Sequence, residues 1–372
     1  MDNKNLPNAL SRLPEEIGCS ARMRQYGQVA LDALKNLSNA DTESLFMAIN
    51  EERAKTVTAR EILEGNRFNV PSSVDVRALH DVEGMFYDKM PDVDFIDIAP
   101  LQPMGLSMFL TGTSEKKIVS STRNSEANAD PTNSLFRIAY NEFKDTPVRI
   151  ATHCRSTRAQ NFGENSKLLP HFKTFCQVSV GRQGLRHGEE EIRSLLAHLN
   201  SELSVLRSLI PEENLSVSVS NVLFSKELVR IGMLDKETLR KDMRNYSQEK
   251  YDVRAIKMRD SGEVLRVLEE QGVQSGVKIF KLFDEVLKED FPHLVDKLEI
   301  DLNRVAGMDY YKHMCYKVVG FTEEGEPIPL DDGGTTDWAQ KVGGRKDIYT
   351  VTSGVGTELL TKNFVRKDEN GN

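Results

Sequence analysis

The sequence predicts an α+β protein, and three observations carry that reading. A first stretch of about 75 residues sets apolar side chains at helical spacing. The segment after it switches repeatedly between helical and strand periodicity. The last stretch, Leu298 to Leu360, returns to strand patterns broken by glycine-rich turns.

Taken in order, Tyr26, Val29, Ala30, Ala33, Leu34 and Leu37 recur on one helical face, and a second run covers Leu45 to Leu63 with Asp41 or Thr42 as its cap. Asn69, Pro71, Ser72 and Ser73 form a breaker cluster, which places a boundary near residue 75. Residues 1–75 thus read as an N-terminal helical extension that carries no chemistry of its own. Val76 to Met90 reads as an amphipathic helix. Val93 to Ile98 alternates apolar and acidic residues as a half-buried strand does, and stops at Pro100 and Pro103. Lys117–Ser121, Val148–Ala151 and Phe172–Val180 are further strand candidates. Ile192, Leu195, Leu199, Leu203, Leu206 and Leu209 draw one apolar stripe along a helix at 188–210, the mark of a core contact. Residues 214–300 mix one strand, Leu215–Val219, with several helices, and the tail Lys367–Asn372 reads as disordered.

Composition excludes several functions. The 372 residues hold 49 Lys plus Arg against 57 Asp plus Glu, a net charge of −8, which disfavours gripping nucleic acid by bulk charge. No apolar run approaches a membrane span. The N-terminus lacks the apolar stretch of a signal peptide, so a cytoplasmic protein is expected. The four cysteines, Cys19, Cys154, Cys176 and Cys315, form no CxxC pair, and no His, Cys or carboxylate cluster has metal-ligand spacing.

Three constellations could carry chemistry. The first is His153-Cys154-Arg155-Ser156-Thr157-Arg158, a loop, then His171 to Gln177: a strand, a turn and a returning strand studded with cations, able to hold a phosphate with Arg155 and to set His171 and Phe175 beside a flat ring. The second is Ala306 to Tyr311, ahead of a strand. The third is Gly333 to Asp337, followed by Ser353 to Leu360, where glycines suit a close backbone approach. Singly, each has a plain structural reading: an ion-paired surface Arg, a packed Tyr, a turn.

In this order and spacing, residues 76–361 resemble the catalytic core of class II aminoacyl-tRNA synthetases of the histidyl type, and that enzyme's paralogue, the regulatory subunit of ATP phosphoribosyltransferase. The resemblance implies a mainly antiparallel sheet flanked by helices, with a mostly helical insertion over about 188–300. Val76–Pro100 resembles the first motif, which implies a homodimer through that region. Arg155, His171 and Phe175 resemble the second motif, and Gly354–Leu360 the third; Arg155, Arg158, His171, Phe175 and Gly356 would then face a nucleotide, ATP with Mg²⁺. Arg123 and Glu126, Gln177, Tyr310, Tyr311, Gly333 and Gly334 would face a substrate.

The departures from the family pattern bear on activity. Thr157 stands where the family has an adenine-facing Glu, Ala306 and Leu359 where it has phosphate-facing Arg, and Gly181 where it has a Glu. Losing one preorganised transition-state cation costs on the order of 10²–10³ in rate, so two losses argue against ordinary amino-acid activation, with Arg158, Lys173 and Arg345 the nearby cations that could substitute. The chain also stops after the third motif, leaving no room for an anticodon-binding domain, so tRNA is not an expected partner. Three readings follow: a paralogue that binds a small amino-acid- or nucleotide-like ligand, or a protein partner, in a regulatory role; an enzyme that still forms an acyl-adenylate for an unusual acceptor; and a structural dimer without a ligand.

Overall fold

The computed structural model describes residues 35–160, 169–237 and 256–365. The helix expected around Tyr26–Leu37, Cys19 and the C-terminal tail lie essentially outside them, as do residues 161–168 of the loop between Ala159 and Pro170. The chain divides into two compact units, 1–65 with 120–125, and 66–119 with 126–372.

In the first unit, helix α1 (Asn39–Lys55) is followed by α2 (Ala59–Glu64). The cap of α1 is Ser38, whose hydroxyl accepts from the Asp41 amide at 3.1 Å, rather than Asp41 or Thr42. Asp41 sits three residues in and meets the cap side chain from within the helix. The run Leu45–Leu63 breaks into two helices because Thr58 makes a reciprocal capping box with Glu61. Neither helix has a buried residue.

The second unit holds the sheet. Helix α3 (Val76–Lys89), capped by Asp75, leads into β1 (Asp94–Phe95), β2 (Leu101–Pro103), α4 (Leu106–Thr111), β3 (Ser125–Ala127) and α5 (Pro131–Glu142). Strands β4 (Val148–Thr157) and β5 (His171–Arg182) form a long hairpin, followed by α6 (Glu189–Leu206), β6 (Leu215–Asn221) and α7 (Val222–Arg230). Then come β7 (Ile256–Lys257), α8 (Ser261–Glu270), α9 (Val277–Asp290), β8 (Leu298–Ile300), β9 (Met314–Phe321), β10 (Pro327–Thr336), α10 (Trp338–Gly343), β11 (Ile348–Val355) and α11 (Thr357–Phe364).

Nine strands join in the order β1-β4-β5-β11-β10-β9-β6-β8-β7. All pairings from β4 through β6 are antiparallel, and only β1–β4 and β6–β8 are parallel. The expected mixed, mainly antiparallel sheet flanked by helices is therefore present. One face packs on α3, α6 and α9 through Phe86, Leu195, Leu199, Leu203, Phe280 and Val351. The other packs on α5 and α10 through Leu135, Phe136, Ile150, Val178 and Trp338. β6 matches the one strand expected within 214–300, β8 lies at the start of the strand-rich stretch expected from Leu298, and β7 is a short addition.

Two strand expectations need correction. Lys117–Ser121 is not a strand: residues 115–117 form a 3₁₀ turn, and the strand lies at Ser125–Ala127. Val93–Ile98 shortens to Asp94–Phe95, since the chain peels away after the Ile96 amide reaches the Ala151 carbonyl at 2.9 Å. Conversely, β4 runs on through polar residues to Thr157 because one of its faces borders a polar cleft. Among the described residues no helix is long and apolar enough to cross a membrane, and Cys154, Cys176 and Cys315 are buried thiols.

Candidate ligand cleft

The cleft, a cavity of about 380 Å³, opens on the α5 side of the sheet. Its floor is Ser156 of β4, Phe172, Thr174 and Cys176 of β5, Thr352 and Gly354 of β11 and Asp332 of β10. These share one face because cross-strand partners do: Ser156 pairs with Phe172, Gly354 with Cys176 and with Asp332. Two loops roof it. Asp130, Pro131 and Thr132 open helix α5, where an Asp cap and a first-position Pro start the helix. Gly307 to Tyr311 form the turn before β9.

Asp130 is held from two sides. Its Oδ1 accepts the Thr132 hydroxyl at 2.6 Å and the Thr132 amide at 3.2 Å, and its Oδ2 accepts the Tyr310 hydroxyl at 3.2 Å. Tyr311 donates its hydroxyl to Asp332. The Arg304 guanidinium, 2% exposed, grips the same carboxylate with two bonds of 2.8 and 2.9 Å and donates to the Tyr316 carbonyl at 2.9 Å. Burial, reinforced by these carboxylates, pushes both tyrosine hydroxyls well above the ordinary range, so they remain donors. At the mouth, Arg158 lies 5.1 Å from the centre of the Phe172 ring and donates Nε–H to the Ala129 carbonyl at 2.7 Å. The lining thus offers one carboxylate anchored by neutral donors, one carboxylate neutralised from beneath, and one cation.

The structure brings Arg158, Tyr310 and Tyr311 together in this cleft and turns other expected residues away. Arg155, His171, Phe175 and Gln177 lie on the opposite face of the hairpin, because side chains alternate and a shift of one position reverses every one of them. Phe175 is buried among the helices and stacks on Phe86 with ring centres 4.3 Å apart. Gln177 donates to Glu202 at 2.8 Å. Arg155 pairs with Glu358 of α11 at 3.0 Å and donates to His171 Nδ1 at 3.0 Å, leaving His171 Nε2–H for the Val70 carbonyl at 2.7 Å. Arg155 and His171 border a separate groove of about 760 Å³ between residues 68–79 and the hairpin.

Arg123 and Glu126 do not pair with each other either. Arg123 reaches Glu43 at 2.7 Å. Glu126, fully buried, accepts from Gln102 at 2.7 Å and from the Gly105 and Ser107 amides at 2.8 and 3.1 Å, and so fixes the start of α4. Gly356 is not a lining residue; Gly354, two positions earlier, is.

Gly333 and Gly334 serve packing. A Cβ on Gly334 would lie 2.4 Å from the Tyr311 ring, and one on Gly333 would lie 2.5 Å from Tyr316 on the other face. Replacing Gly334 with alanine should therefore displace Tyr311 and cost about 1–3 kcal/mol, read as a lower urea midpoint.

Asp130, Thr132, Phe172, Thr174 and Asp332 were not legible as lining residues. The one sequence signal for Asp130 is its place in Asp-Pro-Thr at a helix start. Phe172 carries no such signal, because its pairing with Ser156 is set by the hairpin register.

The resemblance implies a nucleoside triphosphate, and the donor set in this cleft does not fit one. Ala306 and Leu359 supply no cation, Arg304 is committed to Asp332, and Arg155 points away. Among the described residues no group of three or more His, Cys, Asp or Glu side chains is placed to hold a metal ion. No step through ATP and Mg²⁺ is therefore assigned to this chain.

A mainly antiparallel sheet with a strand-helix closure and a cleft on one face is the fold of class II aminoacyl-tRNA synthetase-like proteins, and this chain has it. Among solved structures it is similar to an ATP phosphoribosyltransferase regulatory subunit/histidyl-tRNA synthetase from Bacillus halodurans, with a TM-score of 0.59 and 14% identity over 81% of this chain and 83% of that one. A histidine–tRNA ligase subunit from Alicyclobacillus acidocaldarius gives a TM-score of 0.59 and 11% identity, over 80% of this chain and 95% of that one. The apo histidyl-tRNA synthetase of S. aureus gives 0.51 and 12%, over 81% and 75%. No family model and no curated protein matches the sequence.

Proposed function

We propose that this chain is a paralogue of the histidyl-type class II synthetases that binds a small amino-acid-like or nucleotide-like ligand in a regulatory role, without charging tRNA. The observation that carries this reading is the cleft's charge pattern. An ammonium group finds the Asp130 carboxylate, already oriented by Thr132 and Tyr310. A carboxylate or single phosphate finds Arg158 at the mouth. A triphosphate finds too few cations to be neutralised. One version of the role is regulation of a phosphoribosyltransferase catalytic subunit as a protein partner, suggested by the first structural neighbour. We also place a cytoplasmic homodimer, paired through the Val76–Pro100 region, within this proposal.

A second reading is an adenylate-forming enzyme with an unusual acceptor. It is favoured by Arg158 over Phe172, since a ring and a guanidinium are the parts needed to hold a flat base.

The test is thermal unfolding of the full chain with each of the twenty amino acids, with AMP and with ATP plus Mg²⁺. A ligand at 100 times its dissociation constant stabilises the fold by about 2.7 kcal/mol, several degrees in midpoint. The regulatory reading expects a shift with an amino acid or AMP alone, and loss of that shift in Asp130→Asn. A shift that needs ATP and one amino acid together, followed by amino-acid-dependent pyrophosphate exchange, would replace it with the enzyme reading.

A further inference from the structure

Centred on the sheet face away from the cleft lies a cluster of buried polar groups. It begins with an irregularity in β10. Pro329 pairs with Val319 but Asp331 with Val318, so Leu330 is an extra residue in the strand. After this bulge Asp331 faces helix α6, on the side of Val318, where an apolar residue would be ordinary. Asp331 is 3% exposed, and neither of its buried carboxyl oxygens receives an N–H or O–H from a described group. It stands two positions from Gly333 on the same strand face, and the cross-strand partners of Gly333, Ser353 and Tyr316, both donate to Glu202 of α6, which makes Glu202 the neighbouring carboxyl.

Glu202 is fully buried and well supplied with donors: Gln177 Nε2 at 2.8 Å, Ser353 Oγ at 2.6 Å and the Tyr316 hydroxyl. Behind Gln177 stands Arg149, donating to Gln177 Oε1 at 2.8 and 3.0 Å. His198, the remaining titratable neighbour on α6, is neutral, with Nδ1–H given to Ser353 at 3.0 Å and Nε2 accepting from Ser179 at 2.8 Å. Asp332, next along β10, adds a further negative charge. Two buried carboxylates cannot both stay ionised in contact, and one proton between them turns the repulsion into a hydrogen bond. The donors and Arg149 favour the charge on Glu202, which leaves the proton on Asp331.

We propose that Asp331 and Glu202 form a shared-proton carboxyl pair that fastens helix α6 to the strands flooring the cleft. The strands concerned are those of the cleft: Asp332 lines it, as do Thr352 and Gly354 on either side of Ser353. The inference holds whatever ligand the cleft takes.

Burial raises both carboxyls above the ordinary range, Asp331 the further. A group whose folded value is raised stabilises fully below its unfolded value, about 4, and loses that stabilisation as pH rises toward the folded value. Each proton so held makes the unfolding constant rise tenfold per pH unit. Buried His153, pushed down to about 3 by burial and by Lys173, and His198, also pushed down by burial, act in the opposite sense below about pH 6.5. Their effect is the same in wild type and variant.

The experiment is urea unfolding of the full chain and of Asp331→Asn between about pH 6 and about pH 8. The asparagine amide donates to Glu202 without titrating. The ratio of unfolding constants, wild type over variant, is expected to rise with pH across that range, by up to about tenfold per unit. Parallel pH curves would overturn the proposal. If the variant does not fold, infrared spectroscopy of the wild type at neutral pH decides it: the carbonyl stretch of a protonated, water-shielded carboxylic acid is expected, and its absence would overturn the proposal.

Discussion

Replacing Phe175 with alanine is expected to destabilise the protein by about 3–5 kcal/mol without altering the lining of the cleft. The ring is fully buried, lies against Phe86 and Phe95, and belongs to the core between sheet and helices. Its removal leaves a cavity that closes only if helix α3 and the sheet move together, against the rest of their packing. Phe172, three residues earlier and half-buried, points into the cleft beneath Arg158. Phe172→Ala should cost at most about 1 kcal/mol, yet remove whatever ligand-induced thermal shift the wild type shows. Urea denaturation of both variants reads the first effect, and the ligand panel reads the second. Equal stabilities would mean that the hairpin register assigned here is wrong.

Glu191→Gln is the second large effect, about 3 kcal/mol at pH 7. Glu191 is fully buried at the start of α6, and burial alone would push its carboxyl up. The His313 ring at 3.3 Å and the Lys312 ammonium at 3.1 Å overcome that and pull it down to about 2. A fall from an unfolded value near 4.5 is worth about 1.4 kcal/mol per unit. The sign follows from the lowered value: the stabilisation is complete above about pH 5 and drains away as pH falls toward 2. Stability curves of wild type and variant should therefore lie about 3 kcal/mol apart at pH 7 and converge in acid. A constant gap down to acid pH would show that packing, not charge, accounts for Glu191. This acid-labile pair and the Asp331–Glu202 pair have opposite slopes, so the two can be measured separately in one protein.

The candidate site was half legible. Tyr310 and Tyr311 come from the resemblance of Ala306–Tyr311 to a family motif, and Arg158 from its place at the end of the cation-rich strand. The hairpin register was not recoverable from pattern. Residues 171–182 place apolar side chains on both faces, with Phe172, Cys176, Val178 and Val180 toward one core and Phe175 toward the other. The alternation separates the two faces, but with both largely buried it does not say which one borders the cleft, and Phe175 lies on the face that does not. Arg155 illustrates a second limit. A buried carboxylate two hundred residues away, Glu358, captures a guanidinium that local spacing assigns to a ligand.

Local pattern alone carries the alternation of helices and strands, the stripe that buries α6, the glycines suited to a close backbone approach, and the absence of arginine at positions 306 and 359. These follow from period, side-chain volume and residue identity, which are local properties. What only the tertiary structure decided was which side chains meet. The face taken by each hairpin residue, the commitment of Arg304 to Asp332, and the inward turn of Asp331 after the Leu330 bulge depend on contacts between segments far apart in the chain, and on desolvation costs that arise only once those segments are packed.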